Sequence, residues 1–98
     1  MVSFMKIGFT STTFRPIRNL EKIVCIAKRA GVDCIEWGGD IHVKNIESAK
    51  EVRTLCENAG IEICSYGSYY RVGSADSEKW ENICLIADAM GAKVIRVW

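Results

Sequence analysis

Proline and histidine are nearly absent from this 98-residue chain, which carries one of each, Pro16 and His42. A single proline leaves long helices and inner strands uninterrupted and confines the obligatory break to the polar segment STTFRP, residues 11–16. A single histidine excludes the histidine-rich metal centres, because a lone imidazole would need at least two carboxylate or thiolate partners. An excess of charge is also missing. The chain has 13 basic and 12 acidic residues, interspersed, for a net charge of +1, so it carries no electrostatic footprint for nucleic acid or an anionic membrane. No apolar run approaches the roughly 18 residues of a spanning helix. The start MVSFMKIGFT has Lys6 inside a strand-like run and lacks the small-residue cleavage site of a secretory signal, so a cytoplasmic protein is expected. CxxC spacing is lacking too. Cys25, Cys34, Cys56, Cys64 and Cys84 are odd in number, which suits neither a disulfide framework nor a four-ligand zinc site. They are expected to be reduced, buried structural thiols, with a catalytic thiol as the alternative.

What is present is ordinary for one small globular domain, 49% hydrophobic and 26% charged. Residues 5–10 (MKIGFT) read as a first strand, and Asn19 caps a helix from Leu20 to Ala30 that Gly31 ends. Residues 33–37 form a second strand before the Gly38-Gly39 break, and a second helix runs over 46–59 to Gly60. Residues 61–66 form a third strand, followed by the loop GSYYRVGSA. Asp76 or Ser77 caps a third helix running to about Met90, where Trp80, Ile83, Cys84 and Ala87 recur at helical spacing, and residues 93–98 form a fourth strand. Aligning the helix ends uncovers a repeat: AGVDCI, AGIEIC and MGAKVI each place a glycine before two linking residues and an apolar pair. Its spacing of about 30 residues is that of one βα unit, so the chain reads βαβαβαβ with a parallel sheet.

Alternation along the strands assigns their faces. In register with the three glycines, Ile35, Cys64 and Ile95 point to the helices, while Glu36, Ser65 and Arg96 point to the other face; in the first strand, Ile7 and Phe9 join the helix side. A sheet covered outside and polar at its upper inner side matches a (β/α)8 barrel, whose mouth holds the site. An open doubly wound sheet would give near-continuous apolar strands; a flavodoxin-like nucleotide binder is the remaining alternative. A full barrel takes about 250 residues, so four strands are expected to be a partial domain, truncated after strand four, or a unit completed by a second copy.

The stretch GVDCIEWGGDIHV, a third strand closing in SYGSYY and a fourth strand AKVIRVW together resemble the amino-terminal half of the sugar phosphate isomerase/epimerase family of xylose-isomerase-like TIM barrels. The resemblance covers essentially the whole chain. It implies isomerisation or epimerisation of sugars by proton transfer next to a carbonyl, with a divalent metal (Mn, Mg, Co or Zn) held by carboxylates and a histidine of later strands. Those ligands would lie beyond Trp98, so this chain would not bind the metal and the isolated chain is expected to be inactive. The related endonuclease branch, a metal hydrolase, places a zinc-binding histidine near the end of the third strand; SYGSYY has none, which weakens that alternative. A noncatalytic, self-associating half-barrel is the other.

Four residues are the candidates for contact with a small sugar substrate: Glu36, His42, Tyr66 and Arg96. Glu36 sits inward at a strand end, and an ion pair with Arg96 is its competing role, since alternate strands share a layer in such barrels. His42 reads as a polar loop histidine that touches substrate, ahead of a metal ligand with Asp40 and Glu36, with a plain surface position as its competing role. Trp37 and Trp80 read as core, whereas the tyrosines of residues 66–70 and Trp98 could wall a sugar site or simply pack. Gly38-Gly39 lacks both phosphate-loop patterns and instead suits a sharp turn and close backbone approach. A helix start near Asn45 or Ser77 could receive a sugar phosphate. Neither nucleic acid nor membrane is expected as a partner; a homo-oligomer, or association with the missing half, is.

Overall fold

The computed structural model describes residues 5–74 and 79–98. The expected caps on Asp76 or Ser77, and a phosphate site at Ser77, lie outside the described residues.

Three α-helices alternate with four strands: β1 (Gly8–Thr10), α1 (Leu20–Ala30), β2 (Cys34–Gly38), α2 (Ile46–Ala59), β3 (Glu62–Gly67), α3 (Trp80–Met90) and β4 (Ile95–Arg96). A 3-10 turn over Ser11–Phe14 follows β1 and ends ahead of Pro16, where the ring forbids a continuing helix. Local chemistry sets the helix limits. Asn19 Oδ1 accepts from Lys22 N at 3.0 Å to start α1, and Asn45 and Ser48 exchange side-chain and backbone bonds in a capping box at α2. Gly31, Gly60 and Gly91 end the three helices at φ of 75°, 71° and 75°, the left-handed region that a residue with a Cβ enters only at a cost. The glycine repeat in the sequence is therefore a repeat of helix ends.

All strands run parallel in the order β1-β2-β3-β4. Right-handed crossovers between successive neighbours place every helix on one side of the sheet, so the other face carries no described helix. The core lies between the two layers: Ile23, Val24 and Ala27 of α1, Val52 and Cys56 of α2, and Ile83, Ile86, Ala87 and Met90 of α3 close over Ile35, Trp37 and Tyr66. This is the architecture of half a (β/α)8 barrel. No described helix is long and apolar enough to cross a membrane.

Five expectations need correction. β1 and β4 are shorter than their apolar runs; Ile7, outside β1, is exposed rather than packed against the helices. Cys64 points away from the helices, because a bulge in the β2–β3 register pairs Ile35 with Ile63 but Glu36 with Ser65. The extra residue shifts the alternation, as bulges do, so Cys64 is exposed while Ser65 remains beside Glu36. The cysteines are not uniformly buried: Cys34 and Cys56 are, Cys84 is intermediate, and Cys25 and Cys64 are exposed. Trp80 is not core, being 43% exposed at the start of α3, with its ring 5.2 Å from that of Tyr70.

Candidate functional site

The carboxyl ends of the four strands bring charged and aromatic side chains together. Glu36 on β2 and Arg96 on β4 meet across β3, where Gly67 pairs with Gly38 on one side and Arg96 on the other. Arg96 Nε and Nη2 both lie 3.1 Å from Glu36 Oε1, and Ser65 Oγ donates to Oε2 at 2.5 Å. The missing side chain at Gly67 makes this crossing possible: a Cβ there would stand 3.1 Å from both Arg96 Nη2 and Glu36 Oε1. The Glu36 side chain is 20% exposed and that of Arg96 38%, so the pair is oriented by protein yet reachable from solvent.

Loops extend this centre into a rim. Arg96 lies under the Trp98 ring, its guanidinium carbon 5.2 Å from the centroid, a distance at which a cation is attracted to the aromatic face. Trp98 stacks with Tyr69 at 6.1 Å and 27°; Arg15 Nη2 donates to Tyr69 Oη at 2.9 Å and Arg15 Nη1 pairs with Asp40 Oδ2 at 2.8 Å. The bond to Asp40 holds the exposed Arg15 guanidinium above its usual pKa. Arg15 follows β1, Asp40 follows β2, Tyr69 follows β3 and Trp98 follows β4, so each of the four loops contributes one group.

Of the four sequence candidates, Glu36 and Arg96 come together here, while His42 and Tyr66 lie on the helix side. His42 is buried under the rim. Its Nδ1 is 2.9 Å from Ser11 Oγ, and its Nε2 is 2.8 Å from the Ile17 carbonyl. Because Ser11 Oγ also accepts from Gly38 N at 2.8 Å, its one hydroxyl proton goes to Nδ1, and the Nε2–H tautomer donates to Ile17. His42 thereby ties the loops after β1 and β2. Tyr66 is 1% exposed and its hydroxyl donates to the Val43 carbonyl at 3.0 Å. Gly39 passes so close that a Cβ would lie 2.7 Å from Tyr66 Oη, the close backbone approach expected of Gly38-Gly39. Trp37 is fully buried as expected, with no hydrogen-bond partner for its Nε1 among the described residues.

Sequence reasoning missed Arg15, Ser11 and Gly67. Arg15 had a usable signal, its place in a polar loop just after a strand. Ser11 and Gly67 act through contacts across 27 to 31 positions or through the absence of a side chain, and neither leaves a local pattern. Among the described residues no group of three or more His, Cys, Asp or Glu could hold a metal ion. With Glu36 bound to Arg96 and Ser65, and both His42 nitrogens engaged, these residues do not fit a metal centre by themselves. A concavity of about 640 Å³ lies at the opposite end of the sheet, against Lys6, Glu62 and Lys93. It lacks the convergence of loops, and the Lys6–Glu62 pair that borders it is exposed on both sides.

A parallel half-barrel with its polar groups at the carboxyl ends of the strands is the class these observations define. No family model matches the chain, and no curated protein does. Among solved structures, the crystal structure of the probable 3-DHS dehydratase AsbF, involved in petrobactin synthesis, from Bacillus anthracis, is similar over 96% of this chain with a TM-score of 0.77 and 22% identity. This chain spans 38% of that one. At such identity the likeness concerns the fold.

Proposed function

We propose that this chain supplies one wall of the substrate site of a sugar or sugar-phosphate isomerase or epimerase of the xylose-isomerase-like barrel type, which moves a proton next to a carbonyl. The observation that carries the proposal is the chain of contacts that links all four strand-end loops to the Glu36–Arg96 pair, with Trp98 against Arg96, Tyr69 stacked on Trp98, and Arg15 bonded to both Tyr69 and Asp40. An arginine has five N–H donors in a planar fork. Two of the Arg96 nitrogens bond to Glu36, and the fork has further donors with which to hold a substrate hydroxyl or carbonyl oxygen. The stacked Tyr69 and Trp98 rings, 41% and 59% exposed, offer a flat surface to the C–H face of a sugar ring. Glu36 orients Arg96 and can accept a hydrogen bond from a substrate hydroxyl, while His42 and Tyr66 fix the loop beneath. The divalent metal that the resemblance implies would be held by other strands of the barrel, together with the groups that transfer the proton.

A second reading is dehydration, the activity in the name of the structurally similar AsbF. Elimination of water beside a carbonyl also starts by removing a proton from the neighbouring carbon, so the same wall would serve both. Titration of the chain with aldose phosphates, ketose phosphates and cyclic hydroxy-keto acids, followed by tryptophan fluorescence, tests the proposal. Saturable binding of a sugar phosphate that Arg96→Met weakens is the expected result. Preference for a cyclic hydroxy-keto acid would favour dehydration, and binding unaffected by Arg96→Met would overturn both readings.

A further inference from the structure

Two of the five cysteines meet on the face of the sheet away from the helices. Cys34 shares that face with Glu36, since both alternate along β2 with Ile35, which is fully buried on the helix side. Cys64 comes to the same face from β3 through the bulge. The direct partner of Cys34 is Glu62, and in a regular parallel sheet a residue two places beyond that partner lies about 8 Å away, Cα to Cα. A disulfide spans no more than about 7 Å. The bulge takes up one residue between Ile63 and Ser65 and draws Cys64 back towards Cys34, and the two thiols are in hydrogen-bonding contact. Gly8 on β1 gives the Cys34 sulfur its room, because a Cβ there would stand 2.6 Å from Sγ.

We propose that Cys34 and Cys64 are an oxidation site, which a peroxide converts to a reversible disulfide between β2 and β3. One thiol, as its thiolate, attacks an oxygen of hydrogen peroxide; the O–O bond breaks, leaving a sulfenic acid on sulfur and one water. The second thiol, already in contact, attacks that sulfur and displaces the oxygen, which leaves with the thiol proton as a second water. Two thiols thus lose two electrons and two protons, and the peroxide is reduced to two waters. Contact decides the outcome: a sulfenic acid with a thiol beside it closes to the disulfide before further oxidation to the irreversible sulfinic acid. The two residues are not direct partners across the strands, so the link is strained, as labile and readily reduced disulfides are. Ser65 follows Cys64 and bonds Glu36, and Glu36 lies two residues past Cys34. The link therefore ties the strands directly beneath the Glu36–Arg96 pair and shifts it. The oxidation chemistry stands or falls separately from the substrate.

Mass spectrometry of the chain treated with hydrogen peroxide, blocked with iodoacetamide and digested with trypsin provides the test. The wild type is expected to lose two hydrogens and to yield one dithiothreitol-reversible link between the peptide of Cys34 and the peptide TLCENAGIEICSYGSYYR, which holds both Cys56 and Cys64. Cys56→Ala and Cys25→Ser keep the link. Cys34→Ser and Cys64→Ser lose it, and the thiol left alone goes on to a sulfenic acid that dimedone captures; circular dichroism verifies that both variants are folded. In the wild type, the Arg96 Nε–H resonance moves on oxidation and returns with dithiothreitol. Sulfinic acid in place of a link in the wild type, a link that survives Cys64→Ser or is lost with Cys56→Ala, or an Arg96 resonance that ignores the link would overturn the proposal.

Discussion

Replacing Arg96 by methionine, alone and together with Glu36→Gln, asks how much the charge pair across β3 is worth. Opposite unit charges 3.1 Å apart attract by about 5 kcal/mol at an effective dielectric near 20 and by about 1 kcal/mol in water. With Arg96 38% exposed and Glu36 20%, screening and desolvation remove most of the larger figure, and a net coupling of about 1–2 kcal/mol remains. Each single substitution leaves its partner with less than it had. Glu36 retains the Ser65 bond, and Arg96 retains the Trp98 face. A double-mutant cycle by urea unfolding at one protein concentration measures the coupling directly. With a slope of about 1–3 kcal/mol per molar urea, Arg96→Met should lower the midpoint by roughly 0.5–1 M, and the double variant should cost clearly less than the sum of the singles. Coupling below about 0.5 kcal/mol, the usual scatter of additivity, would refute the view that Gly67 brings these two side chains into a functioning pair.

Other residues give independent checks. His42→Ala should destabilise the chain by about 3 kcal/mol, because it leaves Ser11 and the Ile17 carbonyl without their partner and opens a void; a loss under about 1 kcal/mol in urea unfolding would contradict the buried, doubly bonded ring. Gly8→Ala should cost more than an ordinary strand substitution, since its Cβ would lie 2.4 Å from the Cys34 carbonyl oxygen, which is backbone; about 2 kcal/mol or more by the same assay is expected. Burial pushes the Cys56 thiol from 9.0 up to about 11. The unfolded chain therefore releases this proton near pH 9, while the folded chain holds it until about pH 11. Stability is unaffected below pH 9 and falls as pH rises through that window, by roughly 1 kcal/mol per unit; Cys56→Ala should flatten the slope. The Cys64 thiol, on a residue exposed overall, is also pushed up to about 11, first by desolvation of its partly covered sulfur and then by Cys34. Its thiolate is about a hundredfold scarcer than that of an ordinary thiol but more nucleophilic, so near neutral pH iodoacetamide should label it about tenfold more slowly than a short cysteine peptide.

Much of the scaffold could be read from the chain because its signals are local. The limits of α1 and α2 follow from asparagine caps and terminal glycines, and the glycine repeat announced the βα unit. The Glu36–Arg96 pairing was also legible, as one of two roles open to Glu36, from alternation on strands two apart. What escaped depends on tertiary context. A bulge between Ile35 and Glu36 reversed Cys64 without any glycine to mark it. His42 resembled a solvent-facing loop residue, and only the folding of the segment after β1 over it supplied Ser11 and Ile17 as partners. Trp80 had the spacing of a core residue but occupies the first turn of α3, where the sheet no longer covers it. Tyr66 stood on a strand end that could have faced either way, and its bond to Val43 decided its side.

Side-chain NMR of the isotopically labelled chain tests most directly whether the strand ends around Arg96 form the substrate wall. On addition of a sugar phosphate, the Arg96 Nε–H and Trp98 indole N–H resonances should shift together and saturate at one affinity, while the indole of Trp37, buried on the helix side, stays in place. Shifts confined to residues around the concavity at Lys6 and Lys93, or no shift at Arg96 and Trp98 with any sugar phosphate or hydroxy-keto acid, would contradict it.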